Sequence, residues 1–318
     1  MKQYLEVLED ILTHGVKVTN RTGEKTYSVF GRQYRMNIKE SIPLITTRKI
    51  FYNTAIKELL WFIRGTDSIL PLHENNINIW NPWANEHASI GPLYGVQWRR
   101  WEGRHKKTYD QLREVITNLK KMPHSRRHIV STWNVEFLPD EGLSPQDNAT
   151  QGKMALAPCH LLFQFYTKPL TTYERLHYYY ELCDNHELIN NIDETLSMLD
   201  DELDKKGVPK YKLSCQLYIR SQDMPIGHPY NIFQYAVLTR MIAQCVNMVP
   251  DELVWVGGDC HIYENQVELV KEQLKREPKP LPYLELNPTI KEIDHFKLEH
   301  VIIHNYHPHP IIQYPISV

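Results

Sequence analysis

Ala157-Pro158-Cys159-His160 sets a thiol next to an imidazole. A thiolate is the most nucleophilic group an ordinary side chain can offer near neutral pH. In an extended segment neighbouring side chains point to opposite faces, so Cys159 and His160 do not form a ready-made dyad. Activation of Cys159 therefore falls to groups brought in by the fold, arginines above all. Without such company the residue would be a small buried hydrophobe. Arg220-Ser221-Gln222-Asp223 supplies a guanidinium fork beside a hydroxyl, a combination suited to a phosphate monoester. The plainer reading of that run is a strand-end ion pair between Arg220 and Asp223. Ser125-Arg126-Arg127-His128 offers a second basic pair, and Arg21, just before the Thr22-Gly23 turn, a third site of positive charge.

Three further groups carry chemical potential. Glu58 lies within the apolar run Lys57-Glu58-Leu59-Leu60-Trp61-Phe62, either on an exposed stripe or buried and suited to proton transfer. Trp80 and Trp83 could stack a planar ring, although core packing is the commoner fate of tryptophan. Gly257-Gly258-Asp259-Cys260-His261-Ile262-Tyr263 reads as a strand-to-helix junction where a ligand can approach backbone, or as a simple capping turn. It is neither a dinucleotide fingerprint nor a P-loop. The histidines of 304–310 lack helical spacing and nearby cysteines, so no metal is expected.

The elements that must position these groups follow from apolar periodicity. Helices are predicted over 1–14, 54–63, 109–119, 230–246 and 263–277, and strands over 25–36, 128–133, 161–167, 211–220 and 253–256. The 211–220 strand alternates cleanly, with Tyr211, Leu213, Cys215, Leu217 and Ile219 on one face. This is an α+β pattern, with helices packed on an antiparallel or mixed sheet. The stretch 168–210 holds ten acidic residues, five basic ones and four tyrosines, with Leu188, Ile192, Leu196, Leu199 and Leu203 at helical spacing. It reads as an inserted helical excursion between two strands, an addition of small thermodynamic cost.

The 318 residues are 42% apolar, enough for a large core, and carry a net charge of −2 from 36 basic and 38 acidic side chains. That balance gives no global field for polynucleotide or an anionic membrane, so any phosphate must be met by a few placed arginines. No window approaches the roughly 18 apolar residues of a spanning helix. Five cysteines without a CxxC motif point to reduced thiols and a cytoplasmic protein.

In combination and in this order, the motifs resemble the thymidylate synthase family over nearly the whole chain. They are Asn20-Arg21-Thr22-Gly23, Pro43-Leu44-Ile45-Thr46-Thr47, Glu58-Leu59-Leu60-Trp61-Phe62, Tyr94-Gly95, Ser125-Arg126-Arg127, Leu156-Ala157-Pro158-Cys159-His160, Arg220-Ser221 with Asp223, Pro229-Tyr230-Asn231, and Gly257-Gly258-Asp259 with His261-Ile262-Tyr263. The resemblance implies one catalytic domain over 1–318. It also implies an α+β sandwich around a bent mixed sheet covered by helices, dimerising through that sheet.

It further implies that Cys159 adds to C6 of dUMP, so that C5 attacks the one-carbon unit of 5,10-methylenetetrahydrofolate, a co-substrate, giving dTMP. Arg21, Arg220 and Ser221 would hold the phosphate, joined by Arg126 and Arg127 of the partner subunit. Asn231 would read the uracil edge, while His261 and Tyr263 would hold the ribose hydroxyl. Glu58 and Tyr94 would manage protons. Asp223 would bind the pterin, with Trp80, Trp83, Ile226, Gly227, Tyr230 and the terminal Ser317-Val318 around it. No metal, membrane or nucleic acid is required.

Some positions depart from the family pattern. Pro225, His228 and Tyr230 are unusual and line or underlie the folate side, where an imidazole or phenol could hold a water. Gln222 replaces a small residue, Arg48 stands where relatives often have lysine, and Phe51 where some have histidine. The superfamily also contains hydroxymethylases, which end the reaction with water instead of hydride, so 5-hydroxymethyl-dUMP is the alternative product. Asn231 argues for uracil in either case. A noncatalytic nucleotide- or RNA-binding relative would be expected to have lost Cys159 or Glu58.

Overall fold

The computed structural model describes residues 1–19, 23–183 and 196–316. Arg21, Ser317 and Val318 lie outside them, as do Leu188 and Ile192 of the predicted excursion. Helix α1 (Lys2–His14) leads into strands β1 (Val16–Thr19) and β2 (Lys25–Asn37), and then α2 (Tyr52–Arg64) and α3 (Leu70–His73). Next come α4 (Gly95–Arg100), the short strands β3 (Trp101–Glu102) and β4 (Thr108–Tyr109), α5 (Gln111–Lys121), β5 (Ile129–Ser131), α6 (Pro145–Thr150) and β6 (His160–Pro169). Helices α7 (Thr172–Cys183) and α8 (Leu196–Lys205) precede β7 (Tyr211–Asp223), α9 (Gly227–Cys245) and β8 (Val249–Tyr263). The chain closes with α10 (Val267–Leu274), β9 (Tyr283–Leu286) and β10 (Val301–His304). Among the described residues no helix is long and apolar enough to cross a membrane.

The main sheet has the order β1-β2-β8-β7-β6-β5. Its neighbours run antiparallel except β7 and β8, which are parallel. That exception follows from α9, since a helical crossover returns the chain in the direction it left. Phe233, Tyr235, Ala236, Val237, Leu238, Met241 and Ile242 of α9 are all fully or almost fully buried. They lie over β7 and β8 and against α2. The sheet is therefore the mixed, mostly antiparallel one expected, with helices covering it.

Between β6 and β7, α7 and α8 are joined by one buried cation. Arg175 donates to Asp200 at 2.7 Å and to Asp204 at 2.6 Å. A buried guanidinium needs such carboxylates, which accounts for part of the acidic bias of this stretch.

Two predicted boundaries need correction. The strand predicted over 253–256 runs to Tyr263, so Gly257-Gly258 is no turn and its histidine and tyrosine stand on β8 itself. The glycines reflect close packing: a β-carbon on Gly258 would fall 2.5 Å from the carbonyl oxygen of Arg220 on the neighbouring strand. The helix predicted over 263–277 is correspondingly shorter and begins at Val267, after a single 3₁₀ turn at Glu264–Gln266.

Candidate active site

Cys159 sits immediately before β6, where three separate elements converge on it. Its N–H donates to the hydroxyl of Tyr94 at 3.0 Å, and its carbonyl accepts from the Arg220 N–H at 2.9 Å. The Arg220 guanidinium turns back along the same segment. Its Nε donates to Pro158 at 2.9 Å and its Nη2 to Ala157 at 2.8 Å, which leaves Nη2 4.0 Å from the Cys159 sulfur. Burial pushes the Cys159 thiol up, while the charge of Arg220 and the hydrogen bond with Tyr94 pull it down. Cys215, Cys245 and Cys260 are buried, and burial pushes each up to about 12.

His160 is not the base for this thiol. Its ring lies flat on Tyr94, with centroids 3.9 Å apart, and its Nδ1 is 2.8 Å from the Tyr235 hydroxyl. Burial pushes it down to about 3, which keeps the imidazole neutral. Tyr94 itself adopts φ +28°, a strained conformation for a residue with a side chain. It stands at the head of α4, where Gly95 lets the backbone approach α2: a β-carbon there would lie 2.4 Å from the Phe62 carbonyl oxygen. The strain therefore aims the Tyr94 hydroxyl at Cys159.

Glu58 takes the buried course rather than the exposed one. One carboxylate oxygen accepts from Trp80 Nε1 and the other from Gln234 Nε2, both at 2.7 Å. Burial raises its pKa and these two hydrogen bonds oppose the rise. Trp80 also meets Tyr94 edge-on at 5.9 Å and Trp83 at 5.5 Å, so these aromatics form one wall with Glu58.

The opposite side is built from β7, β8 and the start of α9. Asp223 accepts from the Ile226 N–H at 2.9 Å and from Gln266 Nε2 at 3.3 Å. Burial raises its pKa against those bonds and the nearby His261 and Arg48. This corrects the plainer reading of Arg220 and Asp223 as an ion pair, because each is committed elsewhere. Ser221 pairs with Asp259 across the parallel β7–β8 ladder, and Asp223 with His261. His261 is buried, its Nδ1 is 3.4 Å from Asp259, and its ring meets Tyr263 edge-on at 5.2 Å. Asn231, in the first turns of α9, accepts from Gln222 Nε2 at 3.0 Å. Ile226, Gly227 and Tyr230 lead into Asn231, and all three are half-buried.

Arg126 and Arg127 are exposed on the loop entering β5. Ile129 pairs with Gln164, so the two arginines lie roughly 20 Å along the strand direction from Cys159. One chain does not bring them to the thiol.

His228 corrects the expectation that an added imidazole could hold water on the folate side. It is fully buried behind α9, with Nε2 on the Tyr34 hydroxyl and its ring against Tyr4 and Trp255. The first turn of α9 lays its ring on α1, β2 and β8. Pro225 is likewise buried, its carbonyl taken by Arg48.

The terminal histidines serve separate partners: His304 contacts Glu285 at 2.7 Å, and His309 the carbonyl of Glu277 at 2.9 Å. Among the described residues no cluster of three or more histidine, cysteine or acidic side chains is placed to hold a metal.

Gln234 and Gln266 escape detection in the sequence. An amide inside the apolar run Phe233-Gln234-Tyr235 is the signal that would have exposed the first; Gln266 gives none. Searched against profiles of known protein families, residues 2–318 match the one described as Thymidylate synthase.

Proposed function

Since the chain belongs to the thymidylate synthase family, a family of one-carbon transferases using dUMP and methylenetetrahydrofolate, we propose that it converts dUMP to dTMP through a covalent adduct on Cys159. The observation that carries this reading is the thiol held 4.0 Å from a guanidinium and backed by the Tyr94 hydroxyl. The Cys159 sulfur adds to C6 of the uracil ring, which makes C5 the nucleophile. Arg220 has spent two donors on carbonyls, and its remaining N–H groups, with Ser221 and Arg21, meet the phosphate. Arg126 and Arg127, exposed and remote from their own Cys159, complete the phosphate site of a partner subunit in a homodimer formed through the sheet. Asn231 reads the uracil edge, and His261 with Tyr263 holds the ribose hydroxyl. Glu58, its carboxylate fixed by Trp80 and Gln234, moves protons with Tyr94. The setting is cytoplasmic, and the 168–210 excursion is an elaboration of one catalytic domain.

The residues present suit a reduced folate. The Asp223 carboxylate is held rigidly by Ile226 and Gln266, as a pterin with paired N–H donors requires, and Trp80 and Trp83 offer aromatic surface. Folate supplies the one-carbon unit and, for a methyl product, the hydride. Ile226, Gly227 and Tyr230, which follow Asp223 into α9, are assigned to folate contacts together with Ser317 on the family resemblance.

The competing outcome is 5-hydroxymethyl-dUMP. Of the side chains that could hold a water, His228 is sealed in the core, and the half-buried phenol of Tyr230 alone favours hydration. Incubation of the enzyme with dUMP and methylenetetrahydrofolate, with products weighed by mass spectrometry, tests the reading. We expect dTMP with dihydrofolate. Hydroxymethyl-dUMP with tetrahydrofolate would overturn the methyl assignment and keep the covalent step.

A further inference from the structure

Gln222 is 2% exposed and sits on β7 two positions beyond Arg220, on the same side of the strand. Its Nε2 donates to Asn231 Oδ1 at 3.0 Å, bridging the strand that carries Arg220 and Ser221 to the helix that carries Asn231. Gly227 lies beside this bond, where a β-carbon would meet Gln222 Nε2 at 3.4 Å and Asn231 Oδ1 at 3.8 Å, both ordinary contacts. The other amide atom, Gln222 Oε1, is buried with no hydrogen-bond partner among the described residues.

A carboxamide can present its two ends in either order. Uracil shows a donor at N3 and an acceptor at O4; cytosine shows an acceptor at N3 and a donor at N4. An asparagine free to turn by half a rotation could match either base. With Gln222 donating to Oδ1, that rotation would set the Asn231 amino group against the Gln222 amino group, donor against donor. Turning both amides together would avoid the clash, but it would leave Gln222 with an unpaired buried amino group in place of an unpaired buried carbonyl. Unsatisfied buried donors are the rarer and costlier state. The present arrangement is thus the favoured one, and it turns Asn231 Oδ1 into the acceptor that N3–H of uracil needs.

We propose that Gln222 is a positioning residue that holds the Asn231 carboxamide in the order reading uracil, and so sets the choice of uracil over cytosine nucleotides. The proposal rests on the reading of this site as a dUMP site. Its partner chemistry is a pyrimidine with an N3–H donor next to a carbonyl.

The test is the ratio of dissociation constants for dCMP and dUMP, measured by calorimetry on the full-length protein. Gln222→Met keeps the volume and removes the donor, and the ratio should fall about fivefold. Gln222→Glu, measured at pH 8, puts an acceptor against Asn231 and should lower the ratio further. A residue that merely fills space would weaken both nucleotides alike, and an unchanged ratio in both variants overturns the proposal. If either variant fails to fold, the other still decides. Wild-type protein that binds dCMP as well as dUMP would instead defeat the dUMP reading of the site itself.

Discussion

Arg220 Nη2 lies 4.0 Å from Cys159 Sγ because the same guanidinium donates to the two carbonyls that precede the cysteine, Ala157 and Pro158. The backbone that carries the nucleophile is thus held by the side chain that lowers its pKa, so charge and position cannot be lost separately. Replacing Arg220 by Gln should move alkylation of Cys159 by iodoacetamide to higher pH, since the opposing positive charge is gone. It should also lower kcat/KM by about 100-fold or more, as expected for a charge that meets phosphate. Cys159→Ala should cut turnover on the order of 10⁴-fold or more. Cys215, Cys245 and Cys260 supply an internal control, each pushed up to about 12 by burial and unreactive at neutral pH. Peptide mapping of the labelled protein reads the site, and an unshifted profile in the Arg220 variant would sink the electrostatic role.

Much of this frame was legible in the sequence because its signals are local. From Cys215 to Ile219 the alternation of the sequence is kept in β7, while Ser214 is buried together with Leu213 and Cys215 where the register with β8 shifts. The apolar stripe of 54–63 forms the inner face of α2. Two kinds of feature were not legible. Gly257-Gly258 looked like a junction because glycine marks both turns and close strand contacts, and only the position of Arg220 on the adjacent strand distinguishes them. The partners of the site side chains were hidden for another reason. Glu58 and Gln234 are 176 residues apart in sequence, and Asp223 and Gln266 43, so no periodicity links them. The same holds for His228, which resembled a cavity residue from its place next to Pro229-Tyr230-Asn231. The first helical turn of α9 sends it the other way.

Glu58 predicts a pH dependence. Its carboxyl is raised by burial and lowered by the hydrogen bonds from Gln234 and Trp80. If the carboxylate is the form that takes a proton, activity falls as the pH drops through this group, and the acid limb lies above the ordinary glutamate value of 4.5. Trp80→Phe removes one stabilising donor, raises the pKa again, and should move the limb to higher pH while the alkaline limb stays in place. Glu58→Gln should abolish the limb and lower kcat by about 10²–10⁴-fold. The kcat–pH profile of the three proteins is the measurement.

His160 and His228 make stability sensitive to acid. Burial pushes both down to about 3 from the ordinary value of 6.5. In that window the unfolded chain binds protons that the folded chain does not. Stability is therefore fully present above 6.5 and is lost as the pH falls toward 3, by about 1.4 kcal/mol per pH unit for each histidine. His228→Leu should remove one such contribution, giving a shallower fall in urea-unfolding free energy between pH 6 and 4. It should also cost about 1–3 kcal/mol at pH 7, because the Tyr34 hydroxyl loses its buried partner. Its product should remain the one made by wild type. A change from methyl to hydroxymethyl product would show that the ring acts in the cavity after all.

Gln266 links two parts of the folate side. Its Nε2 donates to Asp223 at 3.3 Å and to the carbonyl of Pro315 at 3.2 Å, while its Oε1 accepts from the Tyr263 N–H at 3.1 Å. The C-terminal segment is thereby tied to the carboxylate assigned to the pterin. Gln266→Leu should raise KM for methylenetetrahydrofolate on the order of tenfold, as expected for the loss of hydrogen bonds to buried acceptors. Binding of dUMP should weaken less, through the Tyr263 N–H that also loses its acceptor. An equal loss for both substrates would point to general misfolding of β8 instead of a local effect at the tail.

Arg126 and Arg127 allow the shared site to be tested directly. Both are exposed on the β5 side of the sheet, remote from the thiol of their own chain. If they complete a partner's phosphate site, a subunit lacking them still owns a sound Cys159, and a subunit lacking Cys159 still owns sound arginines. Cys159→Ala and the Arg126→Ala, Arg127→Ala double variant should each be nearly inactive alone. Mixing them after reversible dissociation assembles heterodimers in which one site has both the thiol and the borrowed charges. At equal amounts half the dimers are mixed and one of two sites is sound in each, so activity should recover to about one quarter of wild type per subunit. Recovery that appears only after dissociation and reassembly is the expected outcome. If mixing restores nothing while the heterodimers demonstrably form, the arginines act within their own chain or not at all, and the shared phosphate site is wrong.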